Sequence, residues 1–268
     1  MYWENKKNEL AHAVQTQRFG LVTDVDGTIS PIVDEPDAAK VTPENFRLLK
    51  QLQKNLPLVA VISGRAAEDV AHRVGIPGLV IVGNHGMDTW TDGKVNISEQ
   101  VGPYLESLRR ASPEIEAKMV AGMRFEDKGA TLSVHYRQTD APEIVGAELA
   151  PTMQAIADRH GLVLTRGRLV FEFRPPINVD KGTAFRELVS AHSLGAAFFI
   201  GDDVTDVGAF QAARELRGSG SCQGYGLGVK SQGTPSVVLE EADFFVEEVA
   251  GVALFLDWVL RTRMASST

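Results

Sequence analysis

The chain has 268 residues, 44% of them apolar, which is enough to bury a sizeable core as one large domain or two smaller ones. Asp and Glu outnumber Lys and Arg by 35 to 27, a formal charge of −8 that argues against nucleic acid or an anionic membrane as the main partner. The single cysteine, Cys222, excludes an intramolecular disulfide. No segment approaches the ~18 consecutive apolar residues that span a bilayer, and the polar, charged first twenty residues lack an apolar leader core. The expectation is a cytoplasmic protein.

The first twenty residues read as an amphipathic helix with Leu10, Ala13 and Val14 on one side, packed on the core. A strand then runs from Arg18 into Asp24-Val25-Asp26-Gly27-Thr28. If the strand continues through Asp26, both carboxylates point to one side and crowd one spot. "VTPENFRLLKQLQKN" predicts a helix with Thr42 as N-cap and Pro43 at its first position. "LPLVAVISGR" predicts a buried strand, residues 67–74 a helix, and "GLVIVGNHG" another strand. Apolar strands alternating with amphipathic helices imply a parallel sheet covered on both faces, with ligands beyond the carboxyl ends of its strands. Asp24, Asp26, Ser63 and the run from Asn84 to Gly86 all fall at such ends.

The middle of the chain changes character. "MRFEDKGATLSVHYR" predicts two strands around Lys128-Gly129, residues 142–159 a helix, and "LVLTRGRLVFEFRP" two more strands around Arg166-Gly167. The α/β rhythm then returns: a helix in "DKGTAFRELVSAHSLG", a strand "AAFFIGDDVTD" ending in acids, a helix from Val204 to about Leu216, strands near "YGLGVK" and "SVVLE", and a last helix ending near Arg261. The fold class expected is α/β, a Rossmann-like parallel-sheet core (1–102 and 179–268) interrupted by an inserted α+β cap domain (103–178).

Two acidic clusters on parallel strands, Asp24 and Asp26 with Asp202, Asp203 and Asp206, would repel each other unless a divalent cation held them, and hard oxygen donors suit Mg²⁺. A cation held by few carboxylates takes phosphate oxygens as further ligands. Ser63, Gly64 and Arg65, with Lys181 at a helix start, offer the matching donors and positive charge.

These segments, Asp24-Val25-Asp26-Gly27-Thr28, Ser63-Gly64-Arg65, Lys181-Gly182 and Gly201-Asp202-Asp203-x-x-Asp206, resemble in order the four motifs of the haloacid dehalogenase superfamily of phosphatases. With "GNHGMD", "RFEDKGATLSVHYR" and "LVFEFRPPINVDKGTAF", the chain resembles the trehalose-6-phosphate phosphatase family within it, departing at Asn84, where a serine is expected, and at Val207, where an acid is common. The resemblance implies hydrolysis of trehalose 6-phosphate through an aspartyl-phosphate. Asp24 would be the nucleophile and Asp26 the general acid and base. Mg²⁺ would be bound by Asp24, Asp26 through its carbonyl, and Asp202, with Asp203 and Asp206 behind them. Ser63 and Lys181 would hold the phosphoryl oxygens, supported by Arg65.

The core motifs read only the phosphate, so the cap is expected to read the sugar through Glu126, Lys128 and Glu172. The same charges could instead form a cross-strand ion-pair ladder. Sucrose 6-phosphate and mannosyl- or glucosyl-3-phosphoglycerate are competing substrates, and a non-catalytic regulatory domain is a competing class whose mark, lost motif aspartates, is missing here. The expected partner is a small-molecule sugar phosphate, with no nucleic acid and no membrane, and the expected state is a monomer.

Overall fold

The computed structural model describes residues 1–33, 39–167 and 169–265. In chain order the elements are α1 (Lys7–Gln15), β1 (Phe19–Thr23), α2 (Pro43–Asn55), β2 (Leu58–Ile62), α3 (Ala67–Val74), β3 (Val80–Gly83), β4 (Asp88–Thr91), β5 (Lys94–Ile97), α4 (Leu105–Glu116), β6 (Arg124–Asp127), β7 (Leu132–His135), α5 (Pro142–Arg159), β8 (Val163–Gly167) and β9 (Val170–Arg174). The chain continues with α6 (Lys181–Ala191), β10 (Ala196–Gly201), α7 (Val207–Gly218), β11 (Gln223–Lys230), α8 (Ser236–Glu241), β12 (Phe244–Glu247) and α9 (Glu248–Ala265). It divides into two compact units, Met1–Val95 with Val179–Thr268, and Asn96–Asn178.

The first unit is built on a sheet ordered β12-β11-β10-β1-β2-β3-β4-β5, parallel from β12 to β3 and antiparallel between β3 and β4. Its central strands are buried along their whole length, so alternate residues feed two separate cores. Leu21, Val59, Val61, Phe198 and Ile200 face one core, shared with α1, α2, α3 and α9. Val22, Ala60, Ile62, Ala197 and Phe199 face the other, shared with α6, α7 and α8. From β1 the chain runs outward through β2 and β3, then returns on β1's other side through β10, β11 and β12. β1 therefore lies at the topological switch point, where the loops at the carboxyl ends diverge and leave a crevice.

Local chemistry accounts for the element ends. Thr42 Oγ1 accepts from the Asn45 amide (3.3 Å) ahead of Pro43, whose missing N–H is no loss in a first turn. The N-terminal helix packs as expected, with Leu10, Ala13 and Val14 buried and Trp3 against Phe255 and Trp258 of α9, ring centroids 5.1 Å apart in both pairs. Among the described residues no helix is long and apolar enough to cross a membrane.

Three sequence expectations need correction. "SVVLE" lies in the helix α8, and the strand it stood for is β12, "FFVE", immediately after. The β-branched pair Val237-Val238 suggested a strand, but Pro235 precedes the segment and Val238 turns into the core as one face of a short helix. The pair β4 and β5 was not foreseen. Neither was α4, whose interior Pro113 reads as a breaker, although Leu108, Ala111 and Ile115 form a buried helical stripe.

The second unit has a four-stranded antiparallel sheet, β6-β7-β9-β8. Leu132, Val134, Phe171 and Phe173 make its apolar face and form one core with Leu108 and Ile115 of α4 and Met153 and Ile156 of α5. The opposite face carries polar side chains in register.

Candidate active site

The strand β1 ends at Thr23, one residue before the first aspartate. The Asp24 amide extends the ladder by one bond to Ile200 O (2.8 Å), and the chain then turns sharply. Gly27 adopts φ +80° and donates to Ser30 O (2.7 Å), while the Thr28, Ile29 and Ser30 amides converge on Val25 O. This turn corrects the expectation that both carboxylates crowd one spot. Asp24 meets Lys181, whereas Asp26 meets Arg65.

Lys181 opens α6, whose N-cap Asp180 forms a reciprocal box with Thr183: Asp180 Oδ1 accepts from the Thr183 amide (2.7 Å) and the Asp180 amide donates to Thr183 Oγ1 (2.9 Å). The cap fixes where the helix begins and so where the lysine starts. Its buried Nζ lies 3.0 Å from Asp24 Oδ1 and donates to Asp206 Oδ1 (2.6 Å). Asp206 Oδ2 accepts from the amides of Asp202 and Asp203, each at 2.9 Å. Asp202 Oδ1 accepts from Thr28 Oγ1 (3.0 Å), tying the loop after β1 to the loop after β10.

Asp24, Asp202 and Asp206 are all buried, and one carboxylate oxygen of each lies within 4.8 Å of the others. Burial opposes the charge of Lys181, but the adjacent Asp206 and Asp24 outweigh it and hold its ammonium above the usual lysine range. Burial pushes the Asp24 carboxyl well above the carboxylate range; Lys181 pulls it down, and Asp206, Asp202 and Asp26 push it further up. Burial and Asp206 push the Asp202 carboxyl to about 7, against the Thr28 bond and Lys181.

Three buried carboxylates with one ammonium leave excess negative charge in low dielectric, which a divalent cation relieves. The all-oxygen donor set suits Mg²⁺. Both oxygens of Asp206 are engaged by protein donors, so Asp24 and Asp202 are the side chains suited to hold the cation. Asp206 instead holds Lys181 and the loop, and Asp203 is exposed with its amide bound to Asp206.

Ser63 is buried at the end of β2, beside β1. Its Oγ accepts from the Arg65 amide (3.2 Å), its carbonyl from the His85 amide (2.9 Å), and Asn84 donates its amide to Arg65 O (2.8 Å), so the loops after β2 and β3 are stitched together. Asn84 fits this loop because it takes φ +46°, a conformation asparagine tolerates, and donates Nδ2–H to Asp88 Oδ2 (2.9 Å). Arg65 grips Asp26 with two bonds, Nε to Oδ2 (2.6 Å) and Nη2 to Oδ1 (2.9 Å), and its Nη1 reaches Asp69 Oδ2 (3.2 Å).

Sequence reasoning missed Thr28, Asp69 and Arg73. Thr28 has no signal beyond its motif. Asp69 and Arg73 do, because positions 65, 69 and 73 repeat at helical spacing with alternating charge.

In the second unit Glu126, Ser133, Glu172 and Thr165 form one cross-strand row. Lys128, in the turn just past β6, pairs with Glu172 (3.2 Å), and Glu126 with His135 (2.9 Å). The Ser133 side chain is buried, and its Oγ has no hydrogen-bond partner among the described residues.

A doubly wound parallel sheet with aspartates after β1 and β10, a serine after β2 and a lysine opening the helix before β10 makes an α/β core with the fold of the haloacid dehalogenase-like hydrolase class. Within that class the chain belongs to the trehalose-phosphatase family, whose model matches residues 22–238. It is 38% identical over 197 residues to a trehalose-phosphate phosphatase of Mycobacterium marinum, covering 70% of this chain and 50% of that protein. The chain thus spans about half the length of the curated relatives it matches. Among solved structures the fold resembles a trehalose-6-phosphate phosphatase related protein (TM-score 0.74, 21% identity, 90% of this chain and 97% of the other). It also resembles the C-terminal domain of the C. albicans trehalose-6-phosphate phosphatase (TM-score 0.71, 20% identity, 95% and 96%).

Proposed function

We propose that the protein is a Mg²⁺-dependent phosphatase that hydrolyses trehalose 6-phosphate to trehalose and inorganic phosphate. The observation that carries this reading is the buried Lys181 held between Asp24 and Asp206, with Asp202 completing the acidic cluster, in a chain of the trehalose-phosphatase family.

In the first step an Asp24 oxygen attacks phosphorus, the P–O bond to the sugar breaks, and Asp26 gives a proton to the departing sugar oxygen. In the second, water attacks the same phosphorus, Asp26 takes its proton, and the bond to Asp24 breaks. Lys181 and Ser63 donate to the phosphoryl oxygens where charge develops. Asp24 and Asp202, with the Asp26 carbonyl, would hold the cation, which when bound neutralises charge between the anionic nucleophile and the anionic phosphate. Arg65 lends support from its pairing with Asp26. Glu126, Lys128 and Glu172 of the second unit serve to recognise sugar hydroxyls; their ion pairing supplies preset hydrogen-bond acceptors and a donor for a polyol. The chain acts as a cytoplasmic monomer whose partner is the sugar phosphate itself.

The test is phosphate release with Mg²⁺ from trehalose 6-phosphate, sucrose 6-phosphate, glucose 6-phosphate, mannosyl-3-phosphoglycerate and glucosyl-3-phosphoglycerate. The expected result is a preference for trehalose 6-phosphate of about 100-fold in kcat/KM, ~2.7 kcal/mol of discrimination. A preference for another ester reassigns the sugar contacts, and release from none overturns the reading.

A further inference from the structure

Arg65 is itself held in place. Its guanidinium makes the two-pronged contact with Asp26 described above and uses a third nitrogen for Asp69, on the first turn of α3. Asp69 Oδ2 also accepts from Arg73 Nε (2.7 Å), one turn further along the same helix, and Arg73 Nη1 donates to Ala39 O (3.2 Å). The result is a chain of alternating charges, Asp26–Arg65–Asp69–Arg73, that runs from the aspartate loop into a helix packed on the sheet. The two arginine side chains are 18% and 13% exposed, so water competes for them far less than at an open surface. Backbone bonds fix the base of Arg65 as well, its N–H on Ser63 Oγ and its carbonyl under the Asn84 amide.

We propose that Asp69 is a positioning residue for Asp26, acting through Arg65; the inference rests on the reading of Asp26 as the proton donor to the leaving oxygen. Arginine presents its donors as a rigid planar fork, so a carboxylate at Nη1 sets the plane of the whole group and with it the direction of the Nε and Nη2 bonds to Asp26. Without Asp69 the guanidinium loses the carboxylate at Nη1, and the direction of its bonds to Asp26 is set less tightly. Proton transfer depends steeply on such placement. Asp69 touches neither phosphate nor metal in this scheme. Its effect falls on the two steps in which Asp26 moves a proton, and kcat/KM reads the first of them.

The experiment measures kcat/KM, which reports transfer of the phosphoryl group to Asp24, for trehalose 6-phosphate, 4-nitrophenyl phosphate and 2,4-dinitrophenyl phosphate with Mg²⁺. The proteins are the full chain as wild type, Asp69→Asn and Asp69→Glu, each checked by circular dichroism. In Asp69→Asn the sugar ester is expected to slow about tenfold. The dinitrophenyl ester, whose leaving group needs no proton, is expected to change less than about twofold. Asp69→Glu is expected to restore most of the loss. An equal fall on all three esters, a rise in KM alone, or no change overturns the inference. If Asp69→Asn does not fold, Asp69→Ser, which removes the carboxylate and keeps a small polar side chain, must show the same split between esters. A wild type that releases no phosphate from any ester overturns the phosphatase reading itself, a result distinct from a wild type that works and a variant whose ester dependence is unaltered.

Discussion

Asp206 binds Lys181 through one carboxylate oxygen, at 2.6 Å, while its other oxygen receives the Asp202 and Asp203 amides. A single side chain thereby sets both the lysine and the loop that carries Asp202. Asparagine has one acceptor oxygen and cannot serve both sets of donors. Asp206→Asn is expected to lower stability by about 3 kcal/mol, as when a buried pair is broken, and to weaken phosphate release more through kcat than KM. Urea unfolding and steady-state kinetics check both.

Asp24 behaves oppositely in stability and in turnover. Burial and three neighbouring aspartates hold its carboxyl well above the normal range, so its charge is a cost in the metal-free protein. Asp24→Asn is expected to leave the metal-free melting temperature equal or higher, to shrink the rise caused by Mg²⁺, and to remove turnover by on the order of 10³-fold or more. Thermal melts with and without Mg²⁺, run beside the kinetics, measure all three.

The Asp202 carboxyl, pushed to about 7 from 3.8, gives a pH dependence with a definite sign. Between these values the folded state binds more protons than the unfolded one, so stability falls as pH rises. With EDTA the protein is expected to melt lower at pH 8 than at pH 5, and Mg²⁺ to raise the melting temperature more at pH 8. Equal metal shifts at the two pH values would argue against Asp202 as a ligand.

Glu126 shows the reverse sign. The His135 bond, helped by Lys128 and Arg124 against burial, holds its carboxyl at about 2, below the ordinary 4.5. Its contribution is complete above pH 4.5 and is lost as pH falls toward 2. Glu126→Gln is expected to cost about 1 kcal/mol at pH 7, after allowance for solvent screening, and about half that at pH 3. Denaturant titrations at both pH values read the difference.

Gly182 tests how the lysine is delivered. A Cβ there would stand 2.4 Å from Gly208 O, backbone against backbone, where α6 meets α7. Gly182→Ala is expected to cost about 1–3 kcal/mol and to reduce activity further than the loss of stability explains, because the helix that carries Lys181 must shift. Comparing residual activity at a temperature well below the melt separates the two effects.

Elements with strong local signals were legible in the chain itself: α2 from Thr42, Pro43 and its leucine spacing, β1, β2 and β10 from unbroken apolar runs, and α3 from its stripe. The short segments were not. In "SVVLE" β-branched residues favour a strand locally, and only the packing of Val238 beneath β11 makes the segment helical. In α4 the core stripe outweighs an interior proline that would end an isolated helix.

The site divides in the same way. Residue order alone determined that Asp24, Ser63, Lys181 and Asp202 stand at the mouths of parallel strands or the start of the adjoining helix, because chain direction and strand periodicity are local properties. Only the tertiary structure decided which charge meets which: Asp24 with Lys181, Asp26 with Arg65, Asp206 with both the lysine and the loop amides. Those pairings join residues as much as 157 positions apart, as Lys181 and Asp24 are (181 less 24). They depend on the turn at Gly27, the start of α6 and the position of α3 together, and Asp206 and Asp24 beside the buried Lys181 hold its ammonium above the usual lysine range.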